Sequence, residues 1–154
     1  MEDTGMEEMR LSHVHKPATI EQMLQVCVID TMSEPGTKPL ILTPEEIRLQ
    51  KTRTIDKNIA RMVRIPSTIP YIETTKVDEE NRSILMETHI KLKKYELHVA
   101  TLYQELALGE VTVECRLLSR GIKKNSIVHM AVKAYVKEQF KEGRRQEEVA
   151  LLTK

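Results

Sequence analysis

The stretch VDEENRSILMETHIKLKKYELHVATLYQELAL, residues 77–108, governs how the rest of the chain is read. Within it Leu85, Leu92, Tyr95, Val99, Leu102 and Leu106 follow a 7, 3, 4, 3, 4 spacing. Residues three and four apart share one face of a helix, so this spacing predicts one long helix with a near-heptad seam. Gly109 follows as a C-terminal cap.

Working outward, the next segment, 110–120, is rich in β-branched residues (Val111, Thr112, Val113) and could be strand. Its short length between helical patterns favours a third bundle helix. Gly121 breaks the chain, and Asn125-Ser126 caps a last helix to about Lys141, with Ile127, Met130, Ala131, Ala134 and Tyr135 facing inward.

Towards the N-terminus, two prolines in Ile65-Pro66-Ser67-Thr68-Ile69-Pro70 oppose helix and suggest an extended linker. Thr43-Pro44-Glu45-Glu46 has the residues of a helix start, with Thr as N-cap, Pro at the first helical position and two acids near the positive end of the dipole. A helix from there to Arg64 follows. Ile20, Met23, Leu24, Cys27 and Val28 lie on one face of an earlier helix over about 18–32, ended by Ser33-Glu34-Pro35-Gly36. Thr37 to Leu42 then runs extended across Pro39. Residues 1–16 are polar and aperiodic, in the manner of a flexible arm. The expected fold is therefore all-α: an N-terminal arm with two helices (1–64), a proline-containing linker (65–76) and a small helical bundle (77–154).

A chain of 154 residues supports one domain, or one domain plus an arm. With one Phe, four Tyr and no Trp, its core must come from Ile, Leu, Val, Met and Ala. Cys27 and Cys115 each sit in an apolar run and read as small buried hydrophobes. No apolar run reaches the ~18 residues needed to span a bilayer, and the acidic start has the wrong charge for a signal peptide, which points to a cytoplasmic origin.

The 24 basic and 23 acidic residues nearly cancel, so their placement matters more than their total. Between 48 and 64, Arg48, Lys51, Arg53, Lys57, Arg61 and Arg64 face the single acid Asp56, a local charge of +5. On the expected helix, Arg53, Lys57, Arg61 and Arg64 fall in one arc, opposite Ile55, Ile59, Met62 and Val63. Such a rod, about 30 Å long, could lie along phosphates and bind them in a salt-sensitive, sequence-independent way. A solvated face or a membrane-surface helix would show the same pattern. A second zone from Arg116 to Arg145 carries +7, and its Lys123 and Lys124 join the candidate DNA contacts.

His13-x-His15 offers half a metal site but lacks further ligands at sequence spacing, so an arm is the simpler reading. His89, His98 and His129 read as boundary residues. Phosphate-loop, HExxH, CxxC and GxSxG patterns are absent, leaving catalysis without a named residue and implying no cofactor.

The organisation, an N-terminal arm with a helix pair, a basic helix face, a proline linker and a bundle, resembles the major capsid proteins of linear filamentous and rod-shaped archaeal DNA viruses. That resemblance implies a virion protein whose arm wraps double-stranded DNA. It would make Arg53, Lys57, Arg61 and Arg64 the DNA-facing residues, with Arg48 and Lys51 as helpers. Its partners would be DNA and a second copy or paralogous capsid subunit, with no small-molecule substrate. Residues 121–136 (GIKKNSIVHMAVKAYV) are similar to the second helix of ribbon-helix-helix repressors, which implies a dimeric DNA-binding regulator. A protein-only helical adaptor is the third possibility.

Overall fold

In the computed structural model, residues 6–92, 94–107 and 109–153 are described. Residues 1–5 of the expected arm, Leu108 at the end of the expected long helix, the Val63 side chain and Lys154 lie outside the described residues.

Seven strands dominate: β1 (Met6–His15), β2 (Lys38–Leu42), β3 (Glu46–Thr54), β4 (Thr68–Asp78), β5 (Ser83–Lys91), β6 (Glu96–Ala107) and β7 (Glu110–Arg120). Three helices accompany them, α1 (Ile20–Cys27), α2 (Lys57–Val63) and α3 (Ile127–Leu152), with a short 3-10 helix at Ile29–Thr31. The strands form one antiparallel sheet in the order β1-β7-β6-β5-β4-β3-β2.

The all-α expectation is overturned, and residues 77–108 show why. Ile84, Met86, Thr88 and Ile90 alternate with Leu85, Glu87, His89 and Lys91, and successive strand side chains point to opposite faces. Ile84 pairs with Tyr103, Met86 with Thr101, Thr88 with Val99 and Ile90 with Leu97, so one face of the hairpin is the core face. The helix-like spacing arose because the outer face also carries Leu85, Leu102 and Leu106, which fall into register with inward Val99. No Gly or Pro marks the turn between β4 and β5. Asp78 instead accepts the Asn81 backbone N–H at 3.1 Å, and Arg82 takes the left-handed φ of 54°.

Other expectations fail for related reasons. Thr43 Oγ1 does accept the Glu46 N–H at 3.0 Å, as a helix cap would, but Thr43 N–H also reaches the Glu46 carbonyl at 3.0 Å and closes the β2–β3 hairpin. The expected linker contains most of β4, whose Pro70 stands on the exposed side. The segment 110–120 is strand β7, as its β-branched residues allow. From Met6 to His15 the expected arm is edge strand β1, which pairs with β7 from Met6↔Ser119 to His15↔Val111.

The helix expected over 18–32 is α1, followed by the 3-10 helix. A capping box starts it: Thr19 Oγ1 accepts the Gln22 N–H at 3.3 Å and Gln22 Oε1 accepts the Thr19 N–H at 2.9 Å. Ser126 caps α3 by accepting the His129 N–H at 3.1 Å, but the helix runs on past Lys141 to Leu152. Ala131 and Tyr135 face the sheet, whereas Ile127, Met130 and Ala134 are exposed. Gly121, at φ +84°, makes the turn into α3, where a Cβ would collide with the Lys94 carbonyl oxygen.

Candidate functional site: a cavity between the sheet and the C-terminal helix

Alternation delivers one side chain in two to the face that α3 covers. One packed cluster lies under α1 and the C-terminal half of α3, where Ile20, Met23, Ile84, Tyr103, Val111 and Val113 meet Phe140 and Leu151. A second gathers Ile55, Ala60 and Ile69 with Tyr135 around α2. Fully burying each large apolar side chain contributes about 1.5–3 kcal/mol. The clusters thus hold the two ends of α3 against the sheet.

Between the two clusters lies a cavity of about 600 Å³, within the range of small-molecule sites. Met86, Ile90, Leu97 and Val99 wall it on the sheet side; Ala131, Val132 and Val136 do so on α3. Exposed Asp30, Glu34 and Gln146 also border it, so the space reaches the surface beside the 3-10 helix.

Polar groups stand at defined places on these apolar walls. Lys51 Nζ lies 3.1 Å from Glu73 Oε1 and donates to Thr31 Oγ1 at 3.3 Å. Arg53 donates to Gln139 Oε1 at 2.8 Å and lies over the Tyr71 ring. Towards α1 sits a buried network around Glu147. Its carboxylate accepts from Arg144 Nε and Nη2, both at 2.7 Å, from Tyr103 OH at 2.6 Å and from Cys27 Sγ at 3.2 Å, and it meets His15 Nε2 at 2.8 Å.

Burial alone would raise the Glu147 pKa, but the hydrogen bonds from His15 and Arg144, with the Arg144 charge and Tyr103, outweigh it and hold the group at about 2. Burial, with the charge of Glu147 close by, pushes the Cys27 thiol well up. Tyr103 is pushed well up by burial and by the neighbouring Cys27 and Glu147. Cys27 and Cys115 are both free thiols.

The candidate DNA contacts do not share a face. Arg48 points to the opposite side of β3 from the cavity and bonds Glu46 at 2.9 Å, while Lys51 and Arg53 point into the cavity. Lys57 and Arg61 are exposed on α2, Arg64 is its C-cap, and Lys123 and Lys124 are exposed ahead of α3. The cationic arc required a helix across 44–64, and residues 46–54 are strand instead. Sequence spacing missed the Glu147 network, because His15, Cys27 and Tyr103 reach it from β1, α1 and β6.

No protein-family model matches the sequence, and no curated protein matches it. Solved structures match its shape. The Zhui aromatase/cyclase from Streptomyces sp. R1128 has a TM-score of 0.59 at 10% identity, over 94% of this chain and 92% of its own. Human StAR-related lipid transfer protein 5 has a TM-score of 0.62 at 8% identity, over 94% of this chain and 74% of that one. Ara h 8.0201 has a TM-score of 0.55 at 13% identity, over 95% and 99%.

Identities this low establish shared architecture alone. That architecture is a helix grip, a curved antiparallel sheet closed over a long C-terminal helix. It overturns both DNA readings, the DNA-wrapping capsid protein and the ribbon-helix-helix regulator, since among the described residues there is neither a basic helical arm nor a helical bundle. This fold supports neither double-stranded DNA nor a capsid subunit as partner, and its cavity removes the ground for excluding a small-molecule ligand. An aromatase/cyclase and a lipid transfer protein are both among the matches, so the fold accommodates catalysis and carriage alike. By its shape, then, the chain has the helix-grip fold.

Proposed function

We propose that this chain binds a small, largely apolar molecule of lipid or aromatic kind in the cavity between the sheet and α3, and carries it without transforming it. The observation behind the reading is the cavity of about 600 Å³, walled by aliphatic side chains and studded with a few fixed polar groups. Proteins of the same shape include one named for lipid transfer and one for aromatase/cyclase activity, which supports a ligand of this character.

Carriage is favoured over catalysis by the protonation of the inner network. A general acid or base works best with a pKa near the working pH. Glu147 is held at about 2, and the Cys27 and Tyr103 protons are held well above their usual range. These groups suit fixed hydrogen bonding to a ligand's polar end.

Titration of the full chain with a fluorescent fatty acid tests the reading. Saturable one-to-one binding with a blue-shifted emission, and recovery of the unchanged probe afterwards, is the expected result. An unsaturable rise in signal would reject the cavity, and conversion of the probe would reject carriage.

A further inference from the structure

Edge strand β1 places His13 and His15 two residues apart, on the same side of the strand, under the last turns of α3. There His13 Nε2 lies 2.8 Å from Glu148 Oε1, and His15 Nδ1 lies 4.0 Å from the same oxygen. One ligand atom from each of His13, His15 and Glu148 falls within 4.8 Å of the others.

His15 supplies a second, independent observation. Its side chain is 1% exposed, and its Nδ1 is buried with no hydrogen-bond partner. Buried polar atoms are rarely left so. The other ring nitrogen, Nε2, is committed to Glu147, a carboxylate that also takes Arg144, Tyr103 and Cys27 as donors. An acceptor so surrounded takes its hydrogen bond from Nε2, which leaves Nδ1 as the nitrogen that faces Glu148, 4.0 Å from its Oε1. A carboxylate that orients a histidine through its far nitrogen is the usual outer support of a metal-bound imidazole.

We propose that His13 Nε2, His15 Nδ1 and Glu148 Oε1 form a binding site for a divalent transition-metal ion, with Zn2+ the best match, and that Glu147 orients His15 from behind. Two imidazoles and one carboxylate suit Zn2+ and leave a fourth position open. Bonds of about 2.0–2.2 Å require ligand atoms roughly 3.3–3.5 Å apart, so modest rotations of His13 and Glu148 close the set. Both have room to move, with side chains 31% and 52% exposed. The ion clips the edge strand to the C-terminal helix and gives Nδ1 its missing partner. Only Glu147 is shared with the cavity wall, so the site stands apart from the apolar ligand proposed above.

The test is Zn2+ titration of the untagged, metal-stripped full chain against a chromophoric chelator, with Co2+ as a spectroscopic substitute. One equivalent should bind more tightly than about 10 µM, survive excess Mg2+, and give Co2+ the intense visible absorption of four-coordination. His13→Gln and Glu148→Gln, at partly exposed positions that leave the fold intact by circular dichroism, should each weaken binding about tenfold or more. Stoichiometric binding unchanged in both variants would overturn the proposal, as would the absence of binding below ~100 µM.

Discussion

Lys51 and Glu73 meet diagonally across β3 and β4, Nζ 3.1 Å from Oε1, on the face of the sheet that walls the cavity. Their side chains are only 10% and 11% exposed, so neither charge is well hydrated. Removing one partner leaves the other buried and uncompensated, whereas replacing both with apolar groups is often neutral. Lys51→Met should therefore destabilise the fold by about 3 kcal/mol, and Lys51→Met with Glu73→Leu should recover most of that. Urea unfolding midpoints of the two variants decide it: a double variant as weak as the single one would show that the pair has another role.

Glu147 links stability to acidity. His15 on β1, Cys27 on α1, Tyr103 on β6 and Arg144 on α3 all face it, and its carboxyl is held at about 2 against an ordinary value of 4.5. A depressed folded-state pKa contributes stability that is complete above the unfolded value and lost as pH falls through the folded one. For metal-free protein, acid titration should remove about 3 kcal/mol between pH 4.5 and 2. Glu147→Gln should flatten that stretch of the pH profile while lowering stability at neutral pH, and an unaltered slope would count against the network.

The basic residues supply a contrast among themselves. Lys57 and Arg61 are exposed on α2, so alanine at either should change stability by less than about 0.5 kcal/mol. Arg53→Ala strands Tyr135 and Gln139 and should cost about 1.5–3 kcal/mol. Arg64 closes α2 at φ 59°, ψ 51°, a conformation costly for any residue with a Cβ. Arg64→Gly should raise stability by about 0.5–1 kcal/mol. Thermal melts should place Arg64→Gly above wild type, the Lys57 and Arg61 alanine variants close to it and Arg53→Ala lowest, and equal losses at all four would count against this account of their surroundings.

Which parts of this structure could be read from residues alone follows from where the determining contacts lie. Helix starts are local, and Ser126 ahead of α3 is legible for that reason. Gly109 and Gly121 mark real turns, both with positive φ, although the first joins two strands and does not cap a helix. Strand against helix was lost where both faces of a central strand carry aliphatic residues, because Leu85 and Leu102 outside mimic a helical seam with Val99 inside. His13 and His15 stand out as a pair in the sequence, where an arm is the simpler reading; Glu148, 133 residues beyond His15 in the chain, does not. No spacing rule reaches that far, since β1 and α3 meet only once the sheet has curved beneath the helix.

Filling the cavity separates ligand binding from fold. Val99 lies on β6 facing α3 and, with Thr101 and Met86, borders open space. Adding bulk to a close-packed core usually costs 1–3 kcal/mol in strain. Here the added ring has volume to enter, so Val99→Trp should leave the unfolding free energy within about 1 kcal/mol of wild type or raise it. The same variant should weaken fluorescent fatty-acid binding at least tenfold, because the probe and the indole compete for one space. Zn2+ affinity should not move, since His13 and Glu148 lie outside the cavity lining. Retained probe binding in a folded Val99→Trp protein would place the ligand elsewhere, and a large loss of stability would mean that the sheet and α3 are already packed at this point.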